Sequence, residues 1–316
     1  MSGARRSDVP GVDAEKPTQI PAAGWWQVVR RAWAEAKADQ VPLLAAGVAF
    51  FGFLSLFPAV VAAVLAYGLV ADPDQIRNQV KDLTAAMPAS GRDLLLQQLD
   101  ALTSAPRQGL GIGVAIAVIA ALWSASGGVG YLLTAVNLAY DEEETRGFVR
   151  RKLLALGMTL GAIIFVLLAI ALFTAGAAIG DHVAPPVRIL LVVVRLVLAV
   201  VLISVALAVT YRRGPDRDAP RIRWVSIGAV VATILWLVAS IGFSVYVETF
   251  GNYAKTYGSL AAVVVLMLWL WLTAYAVLLG AEINAEAEQQ TARDTTKGEP
   301  RPLGQRNAVK ADSIPK

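Results

Sequence analysis

Six apolar runs divide this chain, and each is long enough to cross a bilayer. They lie at 42–71, 109–140, 153–180, 187–211, 224–250 and 259–283. A hydrocarbon layer of about 30 Å takes about 20 residues of helix, so every run meets the minimum, and the longer ones imply tilt or ends that project past the lipid. Buried in lipid, a backbone must satisfy its own hydrogen bonds. That leaves helices or a closed barrel, and the alternating pattern of a barrel strand is missing. The predicted fold is all-α: a polytopic bundle of six transmembrane helices.

Composition agrees. Of 316 residues, 56% are hydrophobic and 16% charged, with a mean hydropathy of +0.57, against about 45–50% and 25% in soluble domains. There is no cysteine and one histidine, His182. No thiolate or histidine-cluster metal centre is therefore expected, and no cofactor. His182 sits in a short loop and reads as incidental.

The positions of the cations set the orientation. Lys and Arg number six in 1–41, four in 139–152, five in 212–223 and six in 284–316. The alternate segments hold four in 72–108 and then only Arg188 and Lys255. Cytoplasmic loops carry the excess of Lys and Arg, so both termini are expected in the cytoplasm, as an even number of spans requires. This clustering between apolar runs differs from the continuous basic face of a nucleic-acid binder, and no nucleic-acid partner is expected.

Outside the spans, residues 1–23 are polar, lack a signal-peptide core and are expected to be disordered. Residues 24–41 put Trp26, Val29 and Trp33 on one helical face, the pattern of an interfacial amphipathic helix. Residues 72–108, with Ile76, Val80, Leu83 and Met87 at helical spacing, predict a helical cap outside the membrane. The tail 287–316 is polar with Gly and Pro, and disorder is expected.

Four stretches carry a resemblance: AAGVAFFGFLSLFP (45–58), AYDEEETRGFVRRKLLALG (139–157), YRRGPDRDAPRIRW (211–224) and NYAKTYGSLAAVVVLMLWLWLTAYAVLLGAEINAE (252–286). In this order they resemble the YihY/BrkB family of bacterial inner-membrane proteins. The resemblance implies six spans with cytoplasmic ends. It implies no activity, since members carry labels as different as ribonuclease and serum-resistance factor. Two positions depart from the family pattern: Phe51, where tyrosine is usual, and Ala254, where asparagine is frequent.

Candidate ligand-binding residues fall in three groups. Arg188 and Arg195 lie two turns apart on the fourth span, with about 10 Å between them. They form either a positive ladder for an anionic group or a pair in which Arg195 snorkels or meets Glu248 or Asp181, because an arginine in hydrocarbon is costly alone. Tyr253, Lys255 and Tyr257 form a polar turn between the fifth and sixth spans, suited to headgroups. Glu282, Asn284 and Glu286 end the sixth span, either as a proton or cation site or as a helix end pairing with Arg212, Arg213 or Arg150.

Helix breaks are expected at Pro58, with Ser55 satisfying the freed carbonyl of Leu54, and at Gly127 and Gly128. Broken helices build transporter sites, whereas small residues also allow close packing. The Gly109/Gly113, Gly157/Gly161 and Gly176/Gly180 spacings are expected to mark helix contacts. The mixed-charge run from Asp141 to Lys152 reads as a solvated loop.

No nucleophile with its base, metal cluster or phosphate loop is legible, so neither an enzyme nor an NTP-driven motor is expected. The leading expectation is a transporter or lipid-handling protein for an anionic or amphipathic solute, with membrane lipids as partners. The alternative is a non-transporting scaffold or assembly partner.

Overall fold

The computed structural model describes residues 9–68, 110–180, 185–249 and 259–315. Among these there are seven α-helices: α1 (Ala22–Ala38), α2 (Val41–Gly68), α3 (Leu110–Ala139), α4 (Phe148–Gly180), α5 (Pro185–Arg213), α6 (Ile222–Thr249) and α7 (Ser259–Gln289). Six are long and apolar enough to cross a membrane. Their bounds fall close to the apolar runs, except that α4 begins at Phe148 and α7 continues to Gln289.

Helices α2 to α7 close a ring, each packing on the next in sequence and α7 returning to α2; α7 also touches α3, and α1 lies along α7. The largest cluster of buried side chains is Ala-rich. It gathers Val41 and Ala45 of α2, Val136 and Ala139 of α3, Tyr211 of α5, Ala229 and Ala232 of α6, and Leu278, Ala281 and Ala285 of α7. These residues sit at the end of the bundle where the termini meet. Elsewhere large apolar side chains stay exposed, as on Ile116, Leu160, Val193 and Ile241. Lipid is as apolar as leucine, so spanning helices gain little by burying such groups against each other.

The tightest crossing is between α6 and α7. A Cβ on Gly228 would land on the Gly280 carbonyl, and one on Gly280 would lie 2.6 Å from Ala232 Cβ. By contrast, a Cβ on Gly157 or Gly161 would meet no other described part of the chain within 4 Å. Among the described residues, the Gly157/Gly161 spacing of α4 thus marks no helix contact. The side chains of the Gly109/Gly113 and Gly176/Gly180 pairs lie outside the described residues.

The expected helix breaks are absent: α2 runs through Pro58 and α3 through Gly127 and Gly128. One lost backbone bond is tolerated inside an otherwise complete helix packed by neighbours. Gly128 instead admits α2. Its N–H donates to Ser55 Oγ at 2.8 Å, and an added Cβ would lie 2.8 Å from that oxygen. Ser55 therefore ties two helices together. Nearby, the Phe51 ring stacks flat on Tyr131 with centroids 3.5 Å apart.

Residues 9–23 and 287–315 are ordered, contrary to the disorder expected of 1–23 and 287–316. From Val9, the N-terminal segment turns under the bundle and buries Ala14 and Ile20 against Val28, Trp224 and Ala287. The tail folds around Arg306, whose guanidinium donates to the carbonyls of Ala292, Arg293, Arg301 and Ala311. It is tied to the rest by Arg221 N–H to Thr295 O at 2.9 Å and by Thr291 Oγ1 to the carbonyls of Val12 and Ala14. Low apolar content signalled disorder, but this segment is held by hydrogen bonds, which hydropathy does not register. The expected cap at 72–108 lies outside the described residues.

Candidate functional site

Helix α7 carries its acidic residues into the most buried part of the molecule. Alanines at 281, 285 and 287 let α1, α2 and α6 approach, and Glu282, Glu286 and Glu288 are all fully buried. Asn284 holds the crossing: it accepts from Gly228 N–H at 2.8 Å and donates to Val225 O at 3.2 Å. It is a staple between α6 and α7 rather than a residue facing an open site.

Glu286 is gripped from two sides. Arg31 of α1 meets Oε2 at 2.5 Å and reaches on to Gln290 at 2.7 Å, while Lys310 of the tail meets Oε1 at 2.7 Å. The same Lys310 ammonium lies 2.9 Å from Asp141 and 3.6 Å from Glu35. Burial works against its charge, but Glu286 and Asp141 more than offset this and hold the ammonium above its ordinary range. Glu288 pairs with Arg217 at 2.6 Å, both fully buried, and accepts from Thr295 at 2.7 Å. Arg217 also lies over the Tyr140 ring, 5.1 Å from its centroid.

Glu282 differs from its neighbours. Both its oxygens are sealed from solvent and find no hydrogen-bond donor among the described residues, and the same holds for Asp39 Oδ2. The Asp39 carboxyl, at the C-terminal cap of α1, lies alongside that of Glu282 within hydrogen-bonding range. Burial, then Asp141 and Glu35, push Asp39 above the usual carboxylate range. Glu142 accepts from Val309 N–H of the tail at 2.9 Å, and burial pushes it up to about 7.

The partners of the acidic helix end are therefore Arg31, Lys310 and Arg217, not Arg212, Arg213 or Arg150. Only the last two turns of α7 were legible as a site. Arg31, Asp39, Asp141, Arg217 and Lys310 were missed, because cations and carboxylates scattered over α1, two loops and the tail have no common spacing to read. The run at 141–144 is likewise not simply solvated, since Asp141 and Glu142 both engage the tail.

The arginines of α5 stand apart from this cluster. Arg188 is exposed; Arg195 is half-buried on a stripe with Leu191 and Ala199, while Val192 to Val194 and Leu196 to Leu198 are exposed. Arg195 thus faces the bundle, and the structure does not put the two arginines on one equally buried face. The side chain of Glu248, and Asp181, His182, Tyr253, Lys255 and Tyr257, lie outside the described residues.

Residues 32–303 match the family described as virulence factor BrkB. The chain belongs to that family. A relative in Bacillus subtilis, YfkH, named as ribonuclease-like, is 34% identical over 248 residues, covering 76% of this chain and 87% of its own. Proteins named as UPF0761 membrane proteins match more locally. That of Tolumonas auensis is 40% identical over 79 residues, 24% of this chain and 26% of its own, and that of Enterobacter sp. 44% over 72 residues, 23% of each. No solved structure matches. This BrkB-family chain is a multi-pass membrane protein with six candidate spans. The family match contains Asp39, Arg217, Glu282, Glu286 and Glu288, whereas Arg31 and Lys310 fall just outside it.

Proposed function

We propose that this protein carries an anionic or amphipathic solute across, or handles it within, the bacterial inner membrane, without an NTPase of its own. The carrying observation is Arg195. It sits on the bundle-facing stripe of α5, in the half of the helix whose other faces are exposed, while the opposite end of the bundle is closed by buried ion pairs. A cation inside a span is held where something anionic or wet meets it, and an anionic solute can share that role with groups of the bundle. With the positive segments inside, the closed end faces the cytoplasm, and solute reaches Arg195 from the outer side.

Lipid contact has its own support. A groove of about 290 Å³ between α1, α2 and α7 is lined by Trp33, Lys37, Leu43 and Tyr275, and the Lys37 ammonium lies 5.5 Å over the Trp33 ring. Trp26 and Trp33 stand 70% and 52% exposed on the same helix, which suits a helix lying at headgroup level. The name of the B. subtilis relative suggests nuclease chemistry, which this reading does not adopt: Glu286 and Glu288 are committed to arginine and lysine.

Reconstitution tests the reading. Purified full-length chain in liposomes is assayed for flux of labelled phospholipid, and separately of small organic anions. Arg195→Ala is expected to cut flux at least tenfold and Arg195→Lys to retain part of it. Unchanged flux in Arg195→Ala would remove the site, and no flux for any anion or lipid would favour a scaffold.

A further inference from the structure

Five carboxyl groups converge at the closed end of the bundle. Glu35 and Asp39 come from α1, Glu282 and Glu286 from α7, and Asp141 from the loop after α3. Two cations answer them, Arg31 and the tail's Lys310, and both are spent directly on Glu286. Asp39 Oδ2 and both oxygens of Glu282 are left without a donor among the described residues, the two carboxyls lying side by side.

Two ionised carboxylates repel and have nothing to donate, and a buried charge without a partner is costly. One proton between them removes both difficulties, since the protonated group donates and the ionised one accepts. Such a pair titrates as a unit. Nor does the site suit a metal ion, because the described residues hold no group of three or more ligands placed to bind one.

We propose that Asp39 and Glu282 form a proton-binding pair, and that Lys310 of the C-terminal tail sets its proton affinity. The pair lies at the junction of α1, α7 and the tail, so its proton occupancy and the seating of the tail are linked. When Lys310 is seated, its charge favours the deprotonated pair; when the tail lifts, the pair holds its proton more tightly. By the same linkage, protonating the pair weakens the hold on Lys310. This inference does not rest on the transport reading: a transporter would use the site for proton coupling, and a scaffold for pH sensing.

Infrared spectroscopy of the full chain in lipid nanodiscs reads the proton directly. The C=O stretch of a protonated carboxyl is followed as pH is raised, in H2O and D2O. Wild type is expected to show a band that Glu282→Gln removes. Asp39→Asn takes away the neighbouring negative charge and should lower its titration midpoint; Lys310→Met takes away the positive one and should raise it by about 1–2 pH units. A merely structural role would move neither midpoint. A band that persists in Glu282→Gln, or midpoints that stay fixed in both other variants, would overturn the proposal. Solute flux enters none of these readings.

Discussion

The Arg217–Glu288 pair sets a large single-site cost. Both side chains are fully buried and 2.6 Å apart. Glu288→Gln leaves the guanidinium buried beside a neutral amide, and removing one partner of a buried pair costs about 3–5 kcal/mol. Arg217 Nη1 and Glu288 Oε1 already lack hydrogen bonds among the described residues, which places the expected cost near the lower figure. At about 2–4 °C per kcal/mol, the unfolding midpoint should fall by roughly 6–12 °C. Intrinsic tryptophan fluorescence in detergent measures it, and Trp224 is a buried reporter at this end. Arg217→Met alone should cost a similar amount. The double variant leaves no unpaired charge and should fall short of the summed single losses by about 2 kcal/mol or more. The Arg301–Asp218 pair, 2.7 Å long but 47% and 35% exposed, is the control: Asp218→Asn should cost under about 1 kcal/mol. If both single variants at the buried pair also cost under 1 kcal/mol and add without coupling, the idea that burial gives this pair its weight is refuted.

The remaining predictions concern the tail and the helix crossings. Burial pushes Glu142 up to about 7 in the folded chain from an ordinary 4.5 in water, although the Val309 N–H pulls it down, so between these values the folded state binds more protons than the unfolded one. Its contribution to stability should be fully present below about 4.5 and fade as pH rises through 7. A spin label on Val309→Cys, unique because the chain has no cysteine, should show this pH response, and Glu142→Gln should flatten it. Gly228→Leu should abolish folded protein in size-exclusion chromatography, since its Cβ would strike the Gly280 carbonyl. Gly161→Ala, with no described neighbour in reach, should be neutral or stabilise by about 0.5–1 kcal/mol, seen as an unchanged or raised unfolding midpoint.

The six spans were legible because each is an independent statement of hydropathy against bilayer thickness: α2 to α7 form wherever about 20 apolar residues meet lipid. Glu282 and Glu286 were legible as a pair because one helix fixes their spacing. What joins them was not. Arg31 is 255 residues from Glu286, and Lys310 is 24 residues beyond it, in a segment whose composition pointed to disorder. The same holds for glycine: Gly157/Gly161 matched a contact pattern and touches no described residue, while Gly228 and Gly280, on different helices, make the closest crossing.

Sequence alone thus determined the number of spans, their helical form and the sorting of charge between loops, since those depend on residue type and on distances along one helix. Tertiary structure alone decided which carboxylate meets which cation, and left Asp39 and Glu282 to face each other. Ion pairing depends on distances between segments far apart in the chain, and hydropathy carries no record of them.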